Sequence, residues 1–389
     1  MRYYIISGEA SGDLHGSNLM KEIKLLDSDA VFRCWGGDLM QQQLGNQKES
    51  SGVLVKHYRE LAFMGFGEVL LNIRTILRNI NFCKKDINEF QPHALILIDY
   101  PGFNLRIAKY VKKPGLSRFS GKIFYYISPQ VWAWKQSRVS QIKRVVDKMF
   151  VILPFEKEFY KRFDYDVDFV GHPLLDAIEE NKTGASASWR TAPVSTDKEI
   201  IAILPGSRKQ EIKQMLPVML NIRKHYNDHQ FVIAGTTSVP DKYYKQFTAG
   251  TDVKIVYDQT YDLLRHSMAA LVTSGTATLE TALIGVPEVV CYKGSPFSYF
   301  IAKRLVKTKY ISLVNIIMNK KIVTELIQEK FNAGNLKMEL DKILPRQVHD
   351  SSDNGIRNKM IKNFIVLKQK LGEKGASKKA AELMLKYLK

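Results

Sequence analysis

Short apolar runs alternate with amphipathic stretches along the chain. Arg2–Ser7 reads as a buried strand, followed by a loop, Gly8–Gly16, and a helix from about Ser17. Val31–Trp35, Ala94–Ile98, Ile123–Ile127, Met149–Leu153 and Asp168–Val170 read as further strands. Apolar runs of about four to eight residues between turn signals fit a parallel sheet covered on both faces. A long amphipathic stretch runs from about Gly67 to Phe90, Lys112–Gly121 is a basic loop, and a basic helix follows Ser128–Trp134. Residues 181–198 lose the apolar period, are rich in Ser, Thr, Ala and Lys, and read as an interdomain linker. A second strand–helix alternation has strands near Ile200, Phe231, Val253, Ala270 and Val289. The pattern predicts an α/β protein with two doubly wound parallel-sheet domains, 1–180 and 199–355. The tail 356–389 is helical, basic and short of core residues, so it is expected to pack back on the N-terminal domain or on a partner chain.

Two junctions in the second half invite a ligand. Ile201-Ala-Ile-Leu-Pro-Gly-Ser-Arg208 and Leu271-Val-Thr-Ser-Gly-Thr-Ala-Thr-Leu-Glu280 each read as strand, tight loop and helix N-terminus. Such a terminus offers unpaired N–H groups and a positive dipole end, which suit phosphate. Gly206 and Gly275 allow close backbone approach, Ser207, Ser274 and Thr276 add hydroxyls, and Arg208 adds a bidentate cation. Glu280, in the first helical turn, could accept from ribose hydroxyls. Together they suggest a nucleotide diphosphate. Neither loop is a Walker loop or a GxGxxG fingerprint, and each could instead be a capped helix start. The alternative for Arg208 is a local pair with Glu211, and Glu280 could instead stabilise its own helix.

Charge adds a constraint. There are 58 Lys+Arg against 39 Asp+Glu, a formal +19, which favours nucleic acid, an anionic membrane or a phosphorylated substrate. No helix-turn-helix, RRM or zinc spacing is present and the basic residues are dispersed, so a nucleic-acid partner is not expected. Cys34, Cys83 and Cys291 match no zinc or redox spacing, which fits a reducing compartment. No apolar run is long enough for a signal peptide or a bilayer span. Asp27-Ser-Asp29 and Asp164-Tyr-Asp-Val-Asp168 are formally DxD, but both read as solvated turns; no metal and no cofactor are expected.

The ordered set Ser7-Gly-Glu-Ala-Ser-Gly-Asp13, Ile98-Asp-Tyr-Pro-Gly-Phe-Asn104, Tyr126-Ile-Ser-Pro-Gln-Val-Trp-Ala-Trp134, Leu153-Pro-Phe-Glu156, Leu204-Pro-Gly-Ser-Arg208, Ser274-Gly-Thr-Ala-Thr-Leu-Glu280 and Ala302-Lys-Arg-Leu-Val-Lys307 spans nearly the whole chain. It closely resembles the lipid-A-disaccharide synthase family. The resemblance implies a GT-B fold, with two Rossmann-like domains facing a central cleft, and an inverting transfer without a cofactor. The substrates it implies are UDP-2,3-diacylglucosamine and 2,3-diacylglucosamine 1-phosphate, giving a β-1,6-linked disaccharide 1-phosphate and UDP. It further implies a cytoplasmic enzyme attached peripherally to the anionic inner-membrane surface. A homodimer through the C-terminal segment is an added possibility. Rival readings are another GT-B enzyme acting on UDP-N-acetylglucosamine, such as the peptidoglycan transferase or the 2-epimerase, and, far behind, a basic nucleic-acid binder.

An inverting transfer needs a base at the acceptor 6-hydroxyl and positive charge at the departing UDP. By the family motif the base is Asp99, just past a strand end; the alternative is that it caps the following helix, expected near Asn104. Asn315 matches a polar donor-site position, although Val314 stands where the family commonly has Pro. Glu9, Ser11, Asp13 and His15 would line the acceptor side, His15 near the acceptor phosphate unless it only caps or packs. Trp132 and Trp134 would shape the cleft wall, hold acyl chains or lie in the core. Phe66, Val69, Leu70, Ile73, Ile76 and Leu77 recur at helical spacing beside Arg74 and Arg78. This stripe either packs on the N-terminal sheet or docks on an anionic leaflet to collect acylated substrates.

Overall fold

Runs such as Tyr3-Tyr-Ile-Ile6 and Ala94-Leu-Ile-Leu-Ile98 leave no polar face, so they are stable only where helices cover both sides of a sheet. A computed structural model describes residues 1–45, 52–60, 73–183, 198–294, 308–345 and 355–389, and those runs are its central strands. The chain forms two units, Met1–Pro173 with Gly372–Lys389, and Leu174–Leu371. Most of the stretch read as a linker lies outside the described residues.

In the first unit the strands are β1 (Arg2–Ile6), β2 (Val31–Gly36), β3 (Gly52–His57), β4 (Ala94–Ile98), β5 (Lys122–Tyr126), β6 (Lys148–Val151) and β7 (Asp168–Phe169). They form one parallel sheet in the order β3-β2-β1-β4-β5-β6-β7. The second unit holds β8 (Glu199–Leu204), β9 (His229–Gly235), β10 (Lys254–Tyr257), β11 (Ser267–Thr273), β12 (Glu288–Tyr292) and β13 (Thr324–Ile327). Its order is β10-β9-β8-β11-β12-β13, again all parallel. Each sheet reverses its strand order once, between β1 and β4 and between β8 and β11. Doubly wound sheets bind ligands at the carboxyl ends of such a switch point.

Sequence reading omitted β3 and β13. Both are edge strands whose residues are mostly half-exposed, so neither needed a continuous apolar run. The expected loop Gly8–Gly16 is mostly helix, which runs from Ala10 to Leu26. Its glycines mark close packing: a Cβ on Gly12 would lie 2.8 Å from that of Ser7, and one on Gly16 would lie 2.6 Å from the Met40 sulfur. The tail divides. Helix Ile356–Lys370 belongs to the second unit, whereas helix Ala376–Leu388 packs on Ala10–Leu26 in the first. Ala380, Ala381, Met384 and Leu385 enter the core with Tyr3, Ile5 and Leu19. The tail is therefore not short of core residues: Met360, Phe364 and Leu367 of helix Ile356–Lys370 are buried as well, and the last helix adds alanines, whose value lies in letting helices approach closely.

Candidate active site

The second unit has a cavity of about 490 Å³ at its switch point. Gly206, Ser207 and Arg208 line it from the end of β8; Ser274, Gly275, Thr276 and Glu280 line it from the end of β11. The two loops differ electrically. After β8, Glu211 turns back on its own helix start and accepts from Ser207 N (3.1 Å) and Arg208 N (3.3 Å). Gly206 has φ +104°, and a Cβ there would meet the Glu211 carboxylate at 2.5 Å, so only glycine fits. These amides, expected to hold a phosphate, already serve a carboxylate. Helix Thr276–Ile284 has no side-chain cap; Thr278 N–H donates to Gly275 O (3.2 Å), and the amides of Thr276 and Ala277 are left open to an anion. Arg208 contributes through its side chain, which is 58% exposed and 3.8 Å from Glu211. Its readings as a cavity cation and as a Glu211 partner are compatible. Glu280 accepts from Tyr261 Oη at 2.7 Å, and burial raises its carboxyl above the usual range.

Thr236 and Thr260 also line the cavity, from beyond β9 and from a helix start. Sequence reading missed both, because single threonines in connecting segments carry no pattern. Asn315 is not among the lining residues. It is fully buried: its amide donates to Val323 O and Glu325 Oε1 (both 2.9 Å) and accepts from Ile322 N (2.6 Å) and Val323 N (3.0 Å). The donor role expected of Asn315 is thereby corrected to a brace between its helix and β13, since its hydrogen-bonding capacity is spent within the fold.

At the first unit's switch point stand Glu9, after β1, and Asp99, after β4. Asp99 and Tyr100 both adopt left-handed backbone, with φ +42° and +44°. Such residues cost about 1–3 kcal/mol each and persist only where the surroundings hold them. Here Asn104, fully buried, donates to Ile98 O (3.2 Å) and Asp99 O (2.8 Å), and Tyr125 Oη also donates to Asp99 O. The Tyr100 ring lies over Gly8, where a Cβ would come within 2.4 Å of it. The following helix starts at Pro101 rather than near Asn104, as suits proline in a first turn. Asp99 reaches solvent, yet protein crowds its carboxyl. That loss of water, together with the Glu9 charge, pushes the carboxyl up to about 6, against a hydrogen bond from Tyr100 N–H.

The other acceptor-side candidates separate. Ser11 is exposed on the first turn of its helix. Asp13 faces inward and caps helix Asp38–Leu44, accepting from Gly37 N (2.7 Å), Met40 N (3.0 Å) and Leu39 N (3.1 Å). Its expected sugar contact is corrected, because its oxygens already serve three amides. His15 Nδ1 is buried without a partner, and burial lowers its pKa to about 4, so it brings no charge to a phosphate at neutral pH. Trp132 is buried and donates to Glu156 Oε1 (3.2 Å), whereas Trp134 is 44% exposed.

Of the apolar stripe, Phe66, Val69 and Leu70 lie outside the described residues, as does the motif 302–307. Ile73 (49%) and Leu77 (50%) are exposed on helix Ile73–Phe90, and Ile76 is half-buried. Among the described residues no helix is long and apolar enough to cross a membrane. The aspartate triplets have local partners: Asp27 binds the N-terminal ammonium (2.8 Å), and Asp166 binds Lys148 (3.1 Å). The cysteines are free and buried.

A family model described as Lipid-A-disaccharide synthetase matches residues 3–383. A lipid-A-disaccharide synthase of Geobacter sulfurreducens is 36% identical, covering 100% of this chain and 97% of that one. One of Nitrosococcus oceani is also 36% identical, covering 99% and 95%. Among solved structures, the UDP-GlcNAc 2-epimerase of Neisseria meningitidis bound to UDP-GlcNAc aligns with TM-score 0.66 at 12% identity, covering 99% of this chain and 100% of that one. The kitacinnamycin glycosyltransferase aligns with TM-score 0.63 at 11% identity, covering 100% and 99%. At such identities the likeness shows the fold, the two-sheet α/β arrangement of GT-B proteins.

Proposed function

The chain belongs to the lipid-A-disaccharide synthase family, and from that membership we propose that it is an inverting hexosyltransferase joining UDP-2,3-diacylglucosamine to 2,3-diacylglucosamine 1-phosphate. The observation that carries the mechanism is the pair of switch points: one presents an open helix start and an arginine, the other a carboxylate of raised pKa. The second unit holds the donor, with its diphosphate on the amides of helix Thr276–Ile284 and on Arg208, and with Glu280 toward the ribose. The first unit holds the acceptor. Asp99 takes the proton of the 6-hydroxyl as that oxygen attacks the donor anomeric carbon from the face opposite UDP. The carbon–oxygen bond to UDP breaks, its electron pair leaves on the diphosphate, and Arg208 and the helix dipole stabilise the gathering charge. The purified chain with labelled donor and acceptor should release UDP and a β-1,6-linked disaccharide 1-phosphate. Epimerised UDP-sugar without disaccharide would assign the chain to the other chemistry.

The pKa of Asp99 predicts a pH dependence. A base works only when ionised, so kcat/KM should fall below about pH 6, tenfold per unit of pH. Glu9→Gln removes a like charge that raises this pKa, and the acid limb should move to lower pH. A limb that stays put, or moves upward, would separate Glu9 from the base.

Membrane attachment is the second part of the proposal. The acyl chains of both substrates must be collected from a bilayer, and exposed Ile73 and Leu77 lie one turn apart beside Arg74 and Arg78. Ile73→Ser with Leu77→Ser should reduce partition onto anionic vesicles by about tenfold or more. The thermal midpoint should hold, because both side chains are exposed. Unchanged vesicle binding would remove this helix face from the membrane.

A further inference from the structure

The turn joining helices Val131–Trp134 and Arg138–Val145 carries a group of side chains that the mechanism above leaves unused. Trp134 is 44% exposed. Around its ring stand two cations, Arg138 with its guanidinium carbon 5.2 Å from the centroid and Lys135 with its ammonium 5.8 Å away. Some cations of this unit are matched, among them Arg33 with Asp86, Lys112 with Asp147 and Lys148 with Asp166. Lys135 and Arg138 pair with no carboxylate among the described residues. What sets these two apart is that both stand against one exposed indole, which joins a large apolar face to two open charges.

The turn is built rather than loose. Lys135 N–H donates to Val131 O (3.1 Å), Arg138 N–H to Lys135 O (3.0 Å) and Val139 N–H to Gln136 O (3.0 Å). The Gln136 amide donates to Trp132 O (3.3 Å), and Trp132 is anchored on buried Glu156. Its position is set by the sheet. Tyr126, the last residue of β5, pairs in register with Ile98, the last of β4, so this segment and the Asp99 loop leave the same edge from neighbouring strands, about 5 Å apart. Tyr125 Oη, which donates to Asp99 O, lies within reach of the Arg138 charge. Burial holds that hydroxyl well above the usual phenol range, and Arg138 acts against the shift.

An amphiphile bearing a phosphate matches this combination, with an anion between the cations and an acyl chain on the indole. We propose that Lys135 and Arg138 bind the phosphate of the acceptor, with Trp134 as the platform for its acyl portion. The inference rests on the transferase reading, and it places the acceptor beside Asp99 within one unit. It also explains how the enzyme would tell donor from acceptor. Both are acylated glucosamines, but only the acceptor ends in a monophosphate, and this shelf lies outside the cavity assigned to the diphosphate.

The test compares 2,3-diacylglucosamine 1-phosphate with the same sugar lacking its phosphate, in wild type and in Lys135→Gln/Arg138→Gln. Losing charge-assisted hydrogen bonds should raise KM for the phosphorylated acceptor about 10- to 100-fold. Values of kcat, UDP affinity and KM for the phosphate-free sugar should stay within about threefold. Arg138→Lys should recover part of the loss. An unchanged KM, or an equal rise for both sugars, would overturn the assignment. So would a loss of anionic-vesicle binding in step with KM, which would give the charges to the membrane. If the double variant folds poorly, each single variant is read in the same way. Binding of the phosphorylated sugar in detergent micelles, measured without donor, keeps the two readings apart. Wild type that binds it through these cations yet makes no disaccharide would sink the transferase reading alone. Wild-type turnover with binding indifferent to the cations would sink the shelf alone.

Discussion

Asp99→Ala is expected to lower turnover by about 100- to 10,000-fold, the usual cost of losing a general base, while UDP affinity stays within about twofold. The split follows from placement. Asp99 follows β4 in the first unit, and the candidate UDP cavity is lined by residues of the second unit. The loss should fall on kcat, because proton transfer is an event of the transition state. Asp99→Asn is the sharper variant. It keeps the shape that Asn104 and Tyr125 hold through the Asp99 carbonyl, and it removes only the basic oxygen. Wild-type turnover in either variant would show that Asp99 merely shapes the turn. A collapse of the thermal midpoint in Asp99→Ala alone would assign its loss to folding and leave the base to be judged on Asp99→Asn, since the left-handed backbone at this position is tolerated by Asp or Asn better than by Ala.

Arg208→Ala is expected to weaken UDP binding about 10- to 100-fold and to lower kcat/KM about 100- to 1,000-fold. Both constants should move because the guanidinium meets the diphosphate in the ground state and meets more charge as UDP departs. Arg208→Lys should recover only part, since a point charge does not reproduce a bidentate fork. Isothermal calorimetry with UDP beside steady-state rates would separate the two effects. The competing role is structural: Arg208 lies 3.8 Å from Glu211, which holds the loop amides. If that were its whole contribution, Arg208→Ala would lower the thermal midpoint and leave UDP affinity unchanged.

The chain determined by itself where strands end and what chemistry stands there. A strand covered on both faces must be written as an unbroken apolar run, and a turn back into a helix needs Pro, Gly or small hydroxyl residues. Ala94–Ile98 followed by Asp99, and the run at Leu271-Val-Thr273 followed by Ser274-Gly275-Thr276, are therefore readable without coordinates. What a polar side chain does at such an end was decided only by tertiary structure. Glu211 occupies amides that looked ready for phosphate, Asp13 turns inward to cap a distant helix, and Asn315 is consumed by β13 and its preceding turn. Each choice depends on a hydrogen-bond partner supplied by folding, often from far along the chain, and one-dimensional spacing carries no record of that partner. The same holds for the raised pKa of Asp99, which comes first from burial of its carboxyl and then from the charge of Glu9 at another strand end, and for the tail, whose alanines become core only when a second helix lies against them. Periodicity reports burial along one element, whereas burial of a charge and satisfaction of a donor are properties of neighbours, and neighbours exist only in the folded chain.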